Sequence, residues 1–362
     1  MARTKHSAVF ETLKEAILRG GYSSSGKLPS ETALTRRFGV SRSVVQQALR
    51  ELERLGLVVR QQGRGTFVAR SAKTLGGTIG LVVPAVSFSE IFTPIVDAIS
   101  CRAQADGLSV LLGNSFSGTN HARRARQTLD LARSMAEKGV SGVILQPVES
   151  VPNAPRINRE IVSVFAQAKI PVVLIDYDIV PPPDRSAYDV VGVDNCDAGR
   201  RMAVHLIAAG AKRIRFVSMP QPCYSIRLRF AGVQGVLAAH GVLLKEMEEL
   251  DASDVEAVRR FLRRERPDGI VCCCDTFAAF FKRTLEKLGK SVPKDMLLAG
   301  FDDVQHARIM TPALTTARQP CAEIAQAAFR ALVERMRNPA LPAREILLTA
   351  PLVVRASTRR KT

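Results

Sequence analysis

Residues 28–68 read LPSETALTRRFGVSRSVVQQALRELERLGLVVRQQGRGTFV, and this stretch decides how the N-terminal part of the chain folds. Ser30 stands just before an apolar-periodic segment, where a serine hydroxyl accepts from an orphan amide at a helix start. Ala33, Leu34 and Phe38 give the first helix an apolar side, and Gly39 breaks it. Ser41 is placed to cap a second helix, in which Val44, Val45, Ala48, Leu49, Leu52 and Leu55 recur at helical spacing. Arg42, Ser43, Gln46, Gln47 and Arg50 fall largely outside that stripe, near the N-terminal half with which a recognition helix reads bases. Gly56 stops the helix; Leu57 to Val59 and Thr66 to Val68 then read as two short strands around a turn at Gln61 to Arg64. Two helices, a tight turn and a basic hairpin predict a winged helix-turn-helix, with Gln62, Gly63 and Arg64 in the wing.

The charge distribution agrees. The chain of 362 residues carries a net +18, and residues 1–73 hold 14 Lys or Arg against 5 Asp or Glu. Half of the excess therefore sits on about a fifth of the length, and so basic a domain suits a polyanion through counterion release. On the remaining residues the positive charge reads as an ordinary solvated surface. The opening MARTKHSAVFETLK has no apolar core of signal-peptide length, and no later run approaches a membrane span. Seven Cys without a secretion signal read as free thiols, so a cytoplasmic location is expected.

Residues 7–19 form an amphipathic helix on Val9, Phe10, Leu13, Ile17 and Leu18, and ARSAKTLGG after Val68 is the interdomain linker. Beyond it, TIGLVVPAV is a near-continuous β-branched run, as in a parallel strand buried on both faces. Strand-like words then alternate with helical ones: LSVLLGNS, GVSGVILQPV, IPVVLIDYDIV, AYDVVGVDN, KRIRFVSMP, DGIVCCCD, DMLLAGFDD and the closing EILLTAPLVVRAS. That alternation predicts an α/β fold with parallel, doubly wound sheets. About ten strands exceed one comfortable sheet, which favours two lobes.

The N-terminal words LPSE, FGVSR, a helix ending in LxxLGLVxR, and GRGTFV resemble the GntR family of bacterial transcription regulators, over residues 6–70. Many members carry Arg where this chain has Thr32 and Gln46, positions that commonly touch DNA. The DNA-facing set is thus Ser30, Thr32, Ser41, Arg42, Ser43, Gln46, Gln47, Arg50, Gln62, Gly63 and Arg64. From about residue 77 to 358 the words IGLVVP, GVSGVILQP, IPVVLID, VGVDNCDAGRRMAVHLIAAGAKRI, RLRFAG and AGFDD followed by PALTTARQP resemble the LacI/GalR-type effector domain, itself similar to periplasmic sugar-binding proteins. The combination resembles the arabinose-responsive repressors. It implies a reader at 1–70, a linker at 71–77 and a two-lobed domain at 78–358. Lobe 1 takes about 78–191 and 321–348, and lobe 2 about 192–319 and 349–358. Three crossings join them, near Val191 to Val193, Arg318 to Cys321 and Leu348 to Leu352. The wingless headpiece and hinge helix of LacI members have no counterpart here, so their switching mechanism does not transfer.

In open α/β sheets, ligands sit at the carboxyl ends of strands and between lobes. Residues past those ends are Ser87, Phe88, Ser89, Ile91 and Phe92 after the first strand, then Asp176, Cys274 with Asp275, and Asp302; Arg227 opens a helix after MPQPCYS. Carboxylates with a charged donor suit vicinal hydroxyls or a sugar acid. By resemblance, Arg227 and Asp302 match the family's ligand-contacting Arg and Asp, while Cys274 stands where the family often has Asn. Asp176 and Asp194 also read as helix or turn caps.

Three adjacent thiols, Cys272 to Cys274, point to alternate faces of a strand and cannot converge on one ion without a bend. No CxxC pair or clustered His accompanies them, so no metal is expected; His205 and His240 read as structural. The leading function is a ligand-responsive transcription regulator, a repressor, held as a homodimer on near-palindromic double-stranded DNA, with a sugar or sugar derivative as effector. An enzyme reading, including a fused pyridoxal-phosphate domain, lacks its lysine context, and there is no GxSxG, P-loop or GxGxxG. No catalytic residue and no cofactor are assigned. A sugar-binding protein without a DNA role is opposed by the basic reader.

Overall fold

The computed structural model describes residues 5–18, 22, 26–54, 57–61, 64–68, 77–83, 90–113, 121–149, 153–181 and 183–359. The expected linker at 71–76, Gly56, the wing residues Gln62 and Gly63, and the candidates Ser87, Phe88 and Ser89 lie outside the described residues. The chain divides into two compact units, Met1–Gly77 with Ala103–Ser109, and Thr78–Arg102 with Val110–Thr362.

In the first unit, helices α1 (Lys5–Leu18), α2 (Glu31–Phe38) and α3 (Arg42–Arg54) precede the antiparallel hairpin β1 (Val58–Gln61) and β2 (Gly65–Val68). The Ala33 amide donates to the Ser30 hydroxyl at 3.2 Å, so Ser30 caps α2. Gly39 closes that helix at φ 61°, a left-handed conformation that costs glycine little, and its amide reaches the Thr35 carbonyl. Ser41 departs from expectation: its hydroxyl pairs with that of Ser43 at 2.9 Å, and only its carbonyl serves α3, accepting from Val45. Val9, Phe10, Leu13 and Ile17 of α1 pack on Leu34, Val45, Ala48, Leu49, Leu52 and Val58 in one buried cluster. The apolar stripe of α3 is thus turned inward, and its polar residues face water.

The second unit runs β3 (Thr78–Val82), α4 (Phe92–Ala105), β4 (Ser109–Gly113), α5 (His121–Glu137), β5 (Gly142–Leu145), α6 (Ala154–Gln167), β6 (Val172–Ile175), β7 (Asp189–Val193), α7 (Asn195–Ala208), β8 (Ile214–Ser218), α8 (Tyr224–Ala239), β9 (Glu248–Glu249), α9 (Val255–Glu265), β10 (Gly269–Cys272), α10 (Asp275–Lys287), β11 (Leu297–Asp302), α11 (Gln305–Ile309), β12 (Thr315–Arg318), α12 (Cys321–Arg337), β13 (Glu345–Leu348) and β14 (Leu352–Val353). Two six-stranded sheets result, ordered β13-β7-β6-β5-β3-β4 and β14-β12-β11-β10-β8-β9. The chain passes from one sheet to the other after β7, after β12 and after β13. Every residue of β5, β6, β7 and β10 is buried, which is why those words read as unbroken apolar runs rather than alternating ones. The closing EILLTAPLVVRAS is two strands in different sheets, and β14 pairs antiparallel with β12, the exception to the parallel pattern expected. The short β9, α11 and β12 went unread, each having too few residues to show a period.

Helices α7 and α8 cross almost backbone to backbone. A Cβ on Gly199 would lie 1.9 Å from the Arg229 carbonyl oxygen, and one on Gly232 would lie 2.0 Å from that of Cys196. Only glycine allows that approach, and it sets the depth at which α8 lies beside the first crossing. Gly199→Ala is expected to destabilise the protein by about 1–3 kcal/mol, the usual cost of overpacking. A urea titration checks this; an unchanged midpoint would mean the helices separate without penalty.

Candidate functional site

Two regions place the functional side chains. In the first unit, Ser30, Thr32, Ser41, Arg42, Ser43, Gln47, Arg50 and Arg64 are exposed, and Gln46 is half-buried. Gln46 is tilted inward because its amide donates to the Glu31 carboxylate at 2.9 Å. The same carboxylate accepts from Arg42 Nε at 3.2 Å and faces Arg60 at 3.7 Å. Chiefly through the Gln46 bond, Glu31 is held below the usual carboxylate range. Glu31 therefore orders the first turn of α3 from the first turn of α2. It was overlooked as part of a motif word, although an acid beside a recognition helix rich in donors is itself a signal.

In the second unit, a cavity of about 140 Å³ opens between the two sheets at the carboxyl ends of their strands. Of the sequence candidates it brings together Ile91, Phe92, Asp176, Cys274 and Asp302. It adds Ile95, Glu149, Ile175, Cys223, Ser225, Ile226, Arg229, Gln319 and Ile324, which strand-end reasoning passed over. Glu149 follows β5 and Gln319 follows β12. The strand-end rule covers both, Glu149 directly and Gln319 only through β12, whose four residues show no period in the sequence.

Two candidates move. Arg227 is exposed and absent from this cavity's lining; it borders two larger open grooves, one of about 920 Å³ at the β8–β9 edge and one of about 550 Å³ beside Glu149 and Tyr177. Arg229 takes the place expected of it. Two residues turn a helix through about 200°, and Ile226, Arg229, Val233, Val236 and Leu237 share the buried face of α8. The apolar stripe in the sequence therefore pointed to Arg229, and proximity to the helix start misled. Asp275 is the second correction. Its side chain is fully buried, accepts from the Thr316 hydroxyl at 2.7 Å and from the Val304 amide at 3.2 Å, and is not among the described residues lining this cavity. As the first residue of α10 it reaches under the sheet to β12 and holds the turn after Asp302. Burial, with Asp302 nearby, pushes it up to about 8.

Arg229 is the knot of the site. Its Nε donates to Asn195 at 2.9 Å, one Nη to the Cys273 carbonyl at 2.8 Å, and the other to Asp302 Oδ1 at 2.9 Å. Its guanidinium lies 4.8 Å from the Phe301 ring centroid. Burial acts to lower its pKa, but Asp302 outweighs that, so the guanidinium stays charged. Gln319 also donates to Asp302 Oδ1, at 3.2 Å. Across the cavity, Asp176 follows β6 at a left-handed φ of 77°, and burial pushes its carboxyl up to about 6 against the pull of Arg229.

The remaining candidates are structural. Asp194 caps α7, accepting from the Asp197 amide at 2.8 Å. His205 meets Thr358 at 2.8 Å and His240 the Val236 carbonyl at 2.9 Å. Cys272 and Cys273 are fully buried, and among the described residues no cluster of His, Cys, Asp and Glu is built to hold a metal ion. No described helix is long and apolar enough to cross a membrane.

Residues 5–68 match the bacterial regulatory proteins of the gntR family, and residues 203–358 match the periplasmic binding protein-like domain. The arabinose metabolism transcriptional repressor of Geobacillus stearothermophilus is 29% identical, over 95% of this chain and 94% of its own length. The HTH-type transcriptional repressor PurR of Mannheimia succiniciproducens is 27% identical, over 81% of this chain and 85% of its own. A LacI family transcriptional regulator from Enterococcus faecalis, solved with bound ribose, covers 79% of this chain and all of its own with a TM-score of 0.64 at 25% identity. One chain thus matches the gntR-family regulatory model at its N-terminal end and the periplasmic binding protein-like model in its C-terminal half, and resembles transcriptional repressors over nearly its full length.

Proposed function

We propose that the chain is a cytoplasmic repressor that holds a near-palindromic operator as a homodimer and releases or tightens it when a small ligand, a sugar or sugar derivative, enters the cavity between the lobes. The observation that carries this reading is one chain with both a recognition helix turned polar-side out and a polar cavity at opposed strand ends. Arg42, with its side chain 72% exposed, and Arg50 supply phosphate or guanine contacts. Gln47 offers a bidentate amide to adenine, and Gln46 does so once DNA competes for its bond to Glu31. Ser30, Thr32, Ser41, Ser43 and the wing at Gln62, Gly63 and Arg64 complete the contact surface. Ligand binding acts by favouring one of two lobe arrangements and so shifting the DNA-competent population. The role proposed for the cavity is ligand binding.

The repressor relatives make the direction of control the expectation, and the arabinose-named relative makes pentoses the first sugars to try. In a mobility-shift titration on the chain's own upstream region, Arg42→Ala is expected to weaken binding by about tenfold, roughly 1–3 kcal/mol for a lost bidentate or phosphate contact. Undiminished binding would remove α3 from the interface. Sedimentation of the complex is expected to give two chains per operator, with protected half-sites about 34–36 Å apart. One chain per site would sink the dimer.

A further inference from the structure

The charge of the cavity narrows what it takes, given the reading of it as the effector site. Among its described lining residues are three carboxylates, Glu149, Asp176 and Asp302, and one cationic side chain, Arg229. Each nitrogen of Arg229 is already hydrogen-bonded to the protein. Gln319 gives its amide to the same Asp302 oxygen that Arg229 takes, and the Ser225 hydroxyl pairs with the Cys223 thiol at 3.1 Å. Among the described hydrogen bonds, none reaches the Asp176 carboxylate or the second oxygen of Asp302. Among its described lining residues the cavity is thus rich in acceptors, poor in uncommitted donors, and formally negative.

The surrounding wall is apolar: Ile91, Phe92, Ile95, Ile175, Ile226 and Ile324. A neutral polyol entering this space would supply hydroxyl donors but displace the water that solvates the excess negative charge, and buried charge is costly unless paired. An ammonium offers three donors together with the missing charge, and its hydrogen bonds to carboxylates are roughly twice as strong as neutral ones. We propose that the effector bears a positively charged amino group seated between Asp176 and Asp302, so that the ligand class is a small hydroxylated amine, such as an amino sugar, rather than a neutral sugar. The cavity of about 140 Å³ has room for one small molecule.

The groups facing Asp176 are Arg229 of α8, Asp302 of β11, Glu149 after β5, and the thiols Cys223 and Cys274. Burial, with Glu149 adding, pushes Cys223 up to about 12; contact with Cys273 and burial raise Cys274, so both thiols stay neutral. Since the Asp176 carboxyl sits at about 6, it is ionised at pH 7.5 and takes up a proton as the pH falls through that value. An amine loses its partner there, whereas a neutral ligand gains or loses little.

The test uses the full-length protein and matched pairs differing in one amino group for one hydroxyl: glucosamine with glucose, galactosamine with galactose, 4-amino-1-butanol with 1,4-butanediol. Thermal shift and titration calorimetry at pH 7.5 are expected to show stabilisation by an amine and not by its neutral partner. Affinity is expected to fall about tenfold by pH 5, following the ionised fraction of Asp176, and Asp176→Asn is expected to abolish the amine's effect while keeping the native circular dichroism. If that variant does not fold, the pH dependence of the unaltered protein decides. A neutral partner binding as tightly as its amine would overturn the charge assignment and leave the cavity as the effector site. No stabilisation by any amine would also overturn it; if neutral sugars then fail to bind or to alter the DNA complex, the effector reading of the cavity falls with it.

Discussion

The buried pair between Arg229 and Asp302 is the interaction on which the second unit's cleft depends. Through one guanidinium it joins the start of α7, the end of β10 and the end of β11, three segments far apart in sequence. A charge this deep is tolerated only because every nitrogen has a partner; removing one partner from a buried pair typically costs about 3–5 kcal/mol. The glycines at the α7–α8 crossing serve the same end. Gly199 faces the Arg229 carbonyl itself, so the depth of the helix and the position of the guanidinium are fixed together. The cleft floor is therefore rigid before any ligand arrives, which limits the ordering entropy that binding must overcome.

Much of the fold was legible because burial writes a period into the sequence. Strands covered on both faces read as apolar runs, and α3 reads as a stripe. What escaped was short or was placed by tertiary contact. Two residues of β9 carry no period, and β12 carries Thr315 and Thr316, whose hydroxyls are consumed internally by Arg355 and Asp275. The site was half legible. Asp176, Asp302 and Phe92 follow from lying at strand ends; Asp275 does too, yet its side chain turns under the sheet. Only the side-chain direction separates a ligand group from a support, and strand-end position does not encode it. Arg229 shows the opposite case, since the helical stripe that buries it was readable and the choice of Arg227 went against it.

In the reader, the same logic appears at the surface. Glu31 is a poor residue to place near DNA on electrostatic grounds, since like charges repel. Its value is positional: it draws Gln46 and Arg42 into one arrangement on the first turn of α3, where entropy would otherwise spread two long side chains. Exposed ion pairs contribute little to stability, so this one is better understood as fixing geometry than as holding the fold.

The turn after β11 links the cleft floor to the connections between lobes. Asp302 and Asp303 both sit at positive φ, 108° and 57°, conformations that cost a non-glycine residue of order 1–3 kcal/mol and persist only when surroundings enforce them. The enforcement is visible. Asp275 holds the Val304 amide, and the buried Asp303 carboxylate accepts from Arg318 at 2.7 Å and Arg355 at 2.6 Å. Arg318 is the last residue of β12 before the second crossing, and Arg355 follows β14 beyond the third. Desolvation alone would raise the Asp303 carboxyl, yet these arginines hold it below the ordinary carboxylate range, so the tie is ionic at neutral pH. A ligand that draws on Asp302 thus pulls on a turn whose next residue is bound to Arg318, at the second connection between the lobes, and to Arg355, just past the third. Coupling requires a contact that differs between two arrangements, and adjacency in one strained turn provides the shortest path from such a contact to the segments about which the lobes can move.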